Sequence, residues 1–254
     1  MQRPVTEPAA VSYSTAVVTG ASGGIGRAIV AELVQRGIHV HALALPDAAL
    51  DALGGLDGVT MHGVDVRDSA AVASIVAALE VDVLVNNAGI IGDLKPAQDS
   101  TAQVVDALID INLRAAVQTS LAVLPGMVRR NRGHIVFTGS IAGSRPSANS
   151  AVYGATKAAL AAFADGLRMD LYGKAVRVTV MMPGRVETSL YDEALGGHDA
   201  AVDRLYSGAT AVQPADIATL VGVAIGMPAH VDVTRLEVVP TMQVFGGSAI
   251  AAMD

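Results

Sequence analysis

The sequence contains no cysteine and no tryptophan, and only 3% of its 254 residues are aromatic. The absence of cysteine excludes a disulfide framework, a thiolate metal site and a cysteine nucleophile, and we expect no metal site. Charged residues make up only 16%, the formal net charge is −7, and no long run of Lys or Arg occurs. A nucleic acid or an anionic membrane is therefore not expected as a partner, because both attract basic surfaces.

Long apolar runs are also missing. The most apolar segment without charge, residues 217–231, contains Pro228 and is too short to span a bilayer. Residues 1–14 contain Arg3, Glu7 and two prolines, without the apolar core of a signal peptide. We therefore expect a cytoplasmic protein with a flexible segment at 1–14 and a single domain at 15–254. A hydrophobic fraction of 52% predicts apolar surface that is covered by subunit contacts.

Short apolar segments alternate with helical patterns along the whole chain. Strands are predicted at 15–19, 38–44, 59–66, 81–85, 134–137, 175–182 and 233–239. Helices are predicted at 27–36, 69–79, 101–124 (ending at Pro125), 150–172 and 213–227. This alternation predicts an α/β fold, a single doubly wound (Rossmann) seven-stranded parallel sheet flanked by helices. The less regular segment at about 184–212, here called the substrate loop, is expected to cover the site.

The first predicted strand runs directly into a glycine-rich turn with the sequence GASGGIG at residues 20–26. Glycines permit a tight turn and a close backbone approach. Unpaired N–H groups and the dipole of the helix that follows both attract a pyrophosphate. The turn therefore predicts a dinucleotide site, with a ligand-free tight bend as the alternative. The contributing residues are Gly20, Ser22, Gly23, Gly24, Ile25 and Gly26.

Two later strand ends extend this candidate site. The sequence NNAG at residues 86–89 follows the fourth strand, and its two adjacent carboxamides suit either a platform under a flat ligand or a turn. Asp65 and Val66 end the third strand, where Asp65 is expected to meet an adenine ring. Because the carboxyl ends of parallel strands lie on one edge of the sheet, these residues are predicted to share one crevice.

A phenol and an ammonium form the candidate catalytic pair. Tyr153 and Lys157 are four residues apart in a predicted helix and project from the same face. A nearby cation favours the phenolate, so the pKa of Tyr153 is expected to lie below its usual value of about 10. Ser140 follows the fifth strand, where its hydroxyl can hold a substrate oxygen, and Asn112 lies within a helical pattern, where its amide is unfavourable unless a partner uses it. The alternative for the Tyr–Lys pair alone is an exposed helix face.

Together these motifs resemble the short-chain dehydrogenase/reductase family over nearly all of residues 15–239. The family's TGxxxGIG stands at 19–26 and its NNAG at 86–89. The resemblance implies that Tyr153 transfers a proton, Lys157 lowers its pKa and holds the nicotinamide ribose, Ser140 positions the reacting oxygen, and Asn112 holds a water. The further cofactor contacts that it implies are Asp65, Val66, Asn87, Ala88, Gly89, Pro183, Gly184, Val186 and Thr188.

Three segments, at 123–135, 152–179 and 227–241, are similar to the branch that contains 3-hydroxy acid and serine dehydrogenases. That branch generally uses NADP and tends to carry arginines where this chain has Leu45 and Pro46, and many NADP enzymes carry a basic residue where it has Gly23. Of NAD and NADP we therefore slightly favour NAD, although Ala44 supplies no acid for the ribose.

The resemblance implies hydride transfer between a nicotinamide cofactor and a small secondary alcohol or hydroxy acid and its carbonyl counterpart, in a homotetramer. Arg145 and Arg185 are candidates for contact with a substrate acid group, although both also suit the surface or a subunit contact. One alternative function is an acyl-carrier-protein ketoreductase, for which Arg129, Arg130 and Arg132 would supply a basic docking patch. Another is a non-catalytic dinucleotide sensor.

Overall fold

A computed structural model of the chain describes residues 11–206 and 210–243. The strands are β1 (Thr15–Thr19), β2 (His39–Ala44), β3 (Val59–Gly63), β4 (Val83–Asn86), β5 (Gly133–Thr138), β6 (Val176–Pro183) and β7 (Arg235–Val238). They form one parallel sheet in the order β3-β2-β1-β4-β5-β6-β7. The predicted doubly wound α/β fold is thereby confirmed.

Helices cover both faces of the sheet. They are α1 (Gly24–Gln35), α2 (Ala48–Asp51), α3 (Ser69–Ala77), α4 (Ala102–Ile109), α5 (Ala115–Arg130), α6 (Ala151–Asp170), α7 (Asp192–Leu195), α8 (His198–Leu205) and α9 (Pro214–Gly226). Val18 of β1 packs in the core under α1 and α9, whereas its neighbour Val17 packs in the core under α3, α5 and α6. Burial on both faces explains why the strands are continuous apolar runs.

The helix predicted at 101–124 has a different C-terminal end in the structure. A π-helical turn at Asp110–Arg114 links α4 to α5, but α5 continues through Pro125 to Arg130, so the prediction that it ends at Pro125 is wrong. Pro125 leaves the carbonyl of Leu121 without its helical donor, but Val123 and Met127 on either side of Pro125 are buried in the core and hold the helix there. Within the described residues, Ala102–Arg130 is the one helix long and apolar enough to cross a membrane, a test that core helices of soluble proteins also pass.

The packed domain begins before residue 15. Tyr13 is only 8% exposed, and the backbone N–H and hydroxyl of Ser14 donate to the Asp82 carboxylate at 2.8 and 2.9 Å. Residues 1–10 of the predicted flexible segment lie outside the described residues, as do residues 207–209 of the substrate loop. The loop contains α7 and α8, and a parallel bridge between Val186 and Val212 joins its two ends.

Candidate active site

The winding of the sheet reverses between β1 and β4, which opens a crevice at their carboxyl ends. The glycine-rich turn lies there. Gly20 has a φ of +62°, and a Cβ added to it would lie 2.7 Å from the Cα of Ala88. A Cβ at Gly26 would lie 2.1 Å from the carbonyl oxygen of Gly20. Gly20 and Gly26 therefore close the turn, and only glycine fits at either position.

The NNAG segment is joined to this turn by hydrogen bonds. The Thr19 hydroxyl accepts from the backbone N–H groups of Asn87 and Ala88 at 3.1 and 3.2 Å. The Asn87 amide donates to the Gly20 carbonyl at 3.1 Å. Asn86 instead is 4% exposed and donates to the Ser120 hydroxyl on α5 at 2.9 Å. The expected platform of two carboxamides is therefore wrong, because only Asn87 lies at the crevice.

Ser140, Tyr153 and Lys157 converge at the adjacent end of β5. Ser140 begins a 3₁₀ turn at Ile141–Gly143, and its hydroxyl accepts from the N–H of Ala142 at 3.1 Å. A Cβ at Gly143 would lie 2.9 Å from the carbonyl carbon of Lys157, so the turn packs directly on α6. This contact brings Ser140 next to Tyr153, and both residues line the same cavity.

The electrostatics of the pair differ from the sequence prediction. Burial, followed by the neighbouring Tyr191, raises the pKa of Tyr153 above its usual value, against the Ser140 hydrogen bond that lowers it. Burial also lowers the pKa of Lys157 to about 8. The Lys157 ammonium donates to the Thr138 carbonyl at 2.8 Å and lies 5.7 Å from the centre of the Tyr153 ring. The predicted lowering of the Tyr153 pKa by Lys157 is therefore not seen in this structure, and Tyr153 is a neutral phenol at neutral pH.

Asn112 lies in the π-helical turn and is 1% exposed. Its amide oxygen accepts from the N–H of Ile90 at 2.8 Å, and its amide nitrogen donates to the Ile90 carbonyl at 2.9 Å and to the Thr156 hydroxyl at 3.3 Å. Both amide N–H groups and one oxygen lone pair are thereby used. The side chain fixes the Ile90 segment at the wall of the crevice, and the water-holding role that the resemblance implies stays a prediction.

A cavity of about 760 Å³ extends from the glycine-rich turn to the catalytic pair. The predicted site residues that line it are Gly23, Gly24, Ile25, Asn87, Gly89, Ser140, Tyr153, Lys157, Pro183, Gly184, Val186 and Thr188. Thr188 closes it from the substrate loop, since its methyl group would meet a Cβ on Gly24 at 3.0 Å. An elongated cavity between a backbone cradle and a Tyr–Lys pair fits a dinucleotide whose pyrophosphate lies on the turn.

Several predicted cofactor contacts do not line this cavity. Gly20, Gly26 and Ala88 form the backbone contacts behind it. The Asp65 carboxylate is paired with the Arg67 guanidinium at 2.6 Å, which lowers the pKa of Asp65. Val66 is buried, and the Ser22 hydroxyl donates to the Asp47 carboxylate at 3.4 Å.

A second cavity of about 560 Å³ also reaches Ser140 and Tyr153. Arg145 and Arg185, the two predicted substrate contacts, line it. Tyr191 lines both cavities and was not predicted as a site residue, because it lies in the substrate loop, where no periodicity marks which side chains turn inward.

A doubly wound sheet with a dinucleotide cradle and a Ser–Tyr–Lys cluster at its crevice defines a nicotinamide-dependent oxidoreductase. Residues 14–196 match the short chain dehydrogenase family, and the chain belongs to this family. The resemblance inferred from the motifs is thereby confirmed, as is the assignment to a nicotinamide-dependent enzyme.

Two relatives and one solved structure illustrate the relationship. An uncharacterized short-chain type dehydrogenase/reductase, y4eK of Sinorhizobium fredii, is 46% identical over 242 residues, which cover 95% of this chain and 97% of the relative. The NADP-dependent 3-hydroxy acid dehydrogenase YdfG of Escherichia coli K12 is 39% identical over 241 residues, covering 91% and 96%. The closed form of a serine dehydrogenase complexed with NADP⁺ superposes with a TM-score of 0.88 at 37% identity, covering 94% and 100%.

Proposed function

We propose that this enzyme transfers hydride between a nicotinamide cofactor and a small hydroxy acid, or a related secondary alcohol, and its carbonyl counterpart. The observation that carries the proposal is the convergence of Ser140, Tyr153 and Lys157 at the end of the long cavity. The names of the relatives, a 3-hydroxy acid dehydrogenase and a serine dehydrogenase, support the substrate class.

In the oxidation, the Ser140 hydroxyl holds the substrate oxygen beside Tyr153, and the ionised phenol of Tyr153 takes the hydroxyl proton. A nicotinamide held in this cavity would supply the acceptor for the hydride that leaves the alcohol carbon as its C=O bond forms. In the reduction, the Tyr153 phenol returns the proton to the carbonyl oxygen. Lys157 would hold the cofactor's ribose, and the N–H groups of the glycine-rich turn would hold its pyrophosphate.

Replacing Tyr153 by phenylalanine tests this assignment. Tyr153→Phe removes the transferable proton and should lower kcat by at least about a hundredfold, while NADH or NADPH binding, followed by nicotinamide fluorescence, is retained. Tyr172→Phe is the matched control, since Tyr172 is 93% exposed and its loss should leave turnover unchanged. Near-normal turnover in Tyr153→Phe would show that another group transfers the proton.

The coenzyme is the point at which the prediction from the sequence and the relatives differ. The 3-hydroxy acid dehydrogenase is NADP-dependent and the serine dehydrogenase is complexed with NADP⁺, so the comparisons do not support the preference for NAD that we drew from the sequence. The end of β2 supports it instead: Leu45 is 56% exposed, and the Asp47 carboxylate lies 3.4 Å from the Ser22 hydroxyl of the glycine-rich turn. A carboxylate at this position repels a 2′-phosphate, and on this ground we retain NAD as the proposed coenzyme.

The two alternative functions have less support. A non-catalytic sensor has no need of the Ser–Tyr–Lys cluster. An acyl-carrier-protein ketoreductase would need its basic docking patch, but Arg130 donates to the Val81 carbonyl at 2.7 Å and Arg132 is paired with Asp82 at 3.1 Å. Of the three predicted patch residues, Arg129 has no bond of this kind within the described part of the chain.

We infer further that the protein is a cytoplasmic homotetramer whose partners are small molecules. The support is the apolar surface of the long helices, where Leu121 of α5 and Met169 of α6 are 55% and 77% exposed. A single domain at 15–254, with 184–212 as its substrate loop, likewise remains a proposal.

A further inference from the structure

Three arginines, Arg145, Arg185 and Arg204, line the second cavity together with the reacting residues Ser140 and Tyr153. We propose that Arg185 binds the acid group of the substrate, with the phenol of Tyr191 as a second hydrogen-bond donor, and that Arg145 does not. The inference rests on the proposed function and specifies how an anionic substrate is selected.

The charge of Arg145 is already compensated. Its guanidinium forms an ion pair with Glu237 of β7, and both side chains are partly buried, at 24% and 34% exposure. A substrate anion at Arg145 would have to compete with this carboxylate. The acid on the same cavity wall, Asp93, is also paired, since its carboxylate lies 3.4 Å from the Lys95 ammonium.

Arg185 has a different environment. It is half-buried, and its Nη1 donates to the carbonyl of Leu205 at 3.1 Å. Across residues 11–206 and 210–243, no carboxylate lies within 4.0 Å of its guanidinium. A half-buried cation with only a carbonyl acceptor retains donors for a bidentate contact with an oxyanion, and binding of an anion offsets the cost of its burial.

The backbone holds Arg185 in place. The N–H of Gly184 donates to the Val238 carbonyl at 2.6 Å, and the carbonyl of Arg185 accepts from the N–H of Val212. The next residue, Val186, is buried at 5% exposure. The guanidinium is therefore presented from the fixed end of β6, so less conformational freedom is lost when an anion binds.

Tyr191 lies near both Arg185 and the reacting phenol of Tyr153. It lines both cavities and packs with Tyr153 in one apolar cluster. Burial raises the pKa of Tyr191, against the lowering effect of Arg185, so its hydroxyl remains a donor at neutral pH. An acid group held by Arg185 and Tyr191 places the attached alcohol carbon towards Ser140 and Tyr153. Arg204, exposed on α8, adds positive charge at the same cavity.

The test compares substrates that share one secondary alcohol and differ in charge: 3-hydroxybutanoate, its neutral methyl ester, and 2-hydroxypropane-1-sulfonate. Arg185→Gln should lower kcat/KM for the two anions by about ten- to a hundredfold, mainly through KM, because one charge-assisted contact is lost. Turnover of the ester should stay within about threefold and shows that the variant is folded. Arg185→Lys should lower kcat/KM for the anions less than Arg185→Gln does, since lysine keeps the charge but cannot form the bidentate contact of a guanidinium.

Two further variants are the controls. Lys174→Gln removes the same charge from an exposed position at the other end of the sheet and should leave all three substrates unchanged. The ratio of kcat/KM for the acid to kcat/KM for the ester should change less in Arg145→Gln than in Arg185→Gln. An unchanged ratio in Arg185→Gln, or a larger loss in Arg145→Gln, would overturn the proposal. The sulfonate and carboxylate rates then show which oxyanion the site prefers.

Binding separates this inference from the proposed function. Calorimetry of 3-hydroxybutanoate with Tyr153→Phe, in the presence of NAD⁺, measures the anion contact without turnover. One outcome is that the double variant Tyr153→Phe, Arg185→Gln no longer binds 3-hydroxybutanoate, while the wild type oxidises none of the three alcohols. This outcome would refute the proposed function and support the anion site. If the wild type oxidises the alcohols but 3-hydroxybutanoate binds equally well without Arg185, the anion site would be refuted and the proposed function supported.

Discussion

Tyr153 is buried at 8% exposure and its pKa is raised, so it is protonated over the neutral range. A protonated phenol is the form needed for reduction, whereas oxidation needs the phenolate. We therefore predict that kcat/KM for oxidation rises as the pH increases from 7 to 9, while kcat/KM for reduction does not rise. Initial rates in both directions over this range provide the measurement. An oxidation rate that falls steadily above pH 7 would contradict the assignment of Tyr153 as the base.

Asp47 tests the coenzyme assignment. Its carboxylate accepts from the N–H of Leu50 at 2.7 Å as the cap of α2, and serine can keep this cap. We expect the wild type to bind NADH more tightly than NADPH, and Asp47→Ser to tighten NADPH binding by about three- to tenfold, since one repulsive charge is removed. Asp57→Ser, at an exposed loop position, is the charge-matched control. Tighter NADPH binding by the wild type would show that other groups hold the 2′-phosphate.

His134 couples folding to pH. Burial, and then the charge of Arg177, lower its pKa from 6.5 to about 3, and its ring bonds to the Thr179 hydroxyl at 2.7 Å. Between these pH values the unfolded chain binds the additional proton, so the free energy of unfolding falls as the pH falls, by at most about 1.4 kcal/mol per unit. When the free energy of unfolding is measured by urea titration between pH 7 and pH 4, it should change less with pH in His134→Gln than in the wild type. Equal slopes would show that His134 is not buried in its neutral form.

Two glycines of the glycine-rich turn are expected to differ in how much their substitution changes the free energy of unfolding. A Cβ at Gly26 would lie 2.1 Å from the Gly20 carbonyl, whereas at Gly23 the nearest atom is 3.5 Å away. Gly26→Ala should lower the free energy of unfolding by about 1 to 3 kcal/mol, and Gly23→Ala, with an ordinary φ of −72°, should change it little. Urea titrations of both variants provide the comparison. Equal stabilities would mean that the turn opens without cost.

The helices show what sequence patterns predict at this scale. The positions of α6 and α9 follow from apolar periodicity, because that pattern reports which face meets the sheet. The continuation of α5 past Pro125 does not, because it depends on the burial of Val123 and Met127 in the core, which holds a helix that lacks one hydrogen bond. In the sequence, residues 110–112 interrupt the helical pattern only in polarity, whereas the π-helical geometry of Asp110–Arg114 depends on the contact of Asn112 with Ile90.

For the whole molecule, the proposed homotetramer leads to a test of assembly. Sedimentation should give about four times the chain mass of 25.8 kDa. Met169→Glu should shift the mass towards smaller species, because a charge placed in an apolar contact must be desolvated. Leu56→Glu, at a loop residue that is 42% exposed, is the control and should keep the wild-type mass. A monomeric wild type would refute the proposed assembly.

The sequence alone determined the order of strands and helices, the family, and the candidate positions Asn112, Ser140, Tyr153 and Lys157. These follow from local patterns, since apolar runs mark buried strands and a spacing of four places two side chains on one helix face. The catalytic and cofactor roles of these residues remain predictions.

Only the tertiary structure decided the charges and hydrogen bonds within the site. It turned Asn86 away from the crevice, kept Tyr153 protonated and paired Arg145 with Glu237, while Arg185 faces the cavity without a carboxylate partner in the described chain. Burial and ion pairing join residues that are far apart in sequence, as Arg145 and Glu237 are, and no local pattern reports which of these groups will meet.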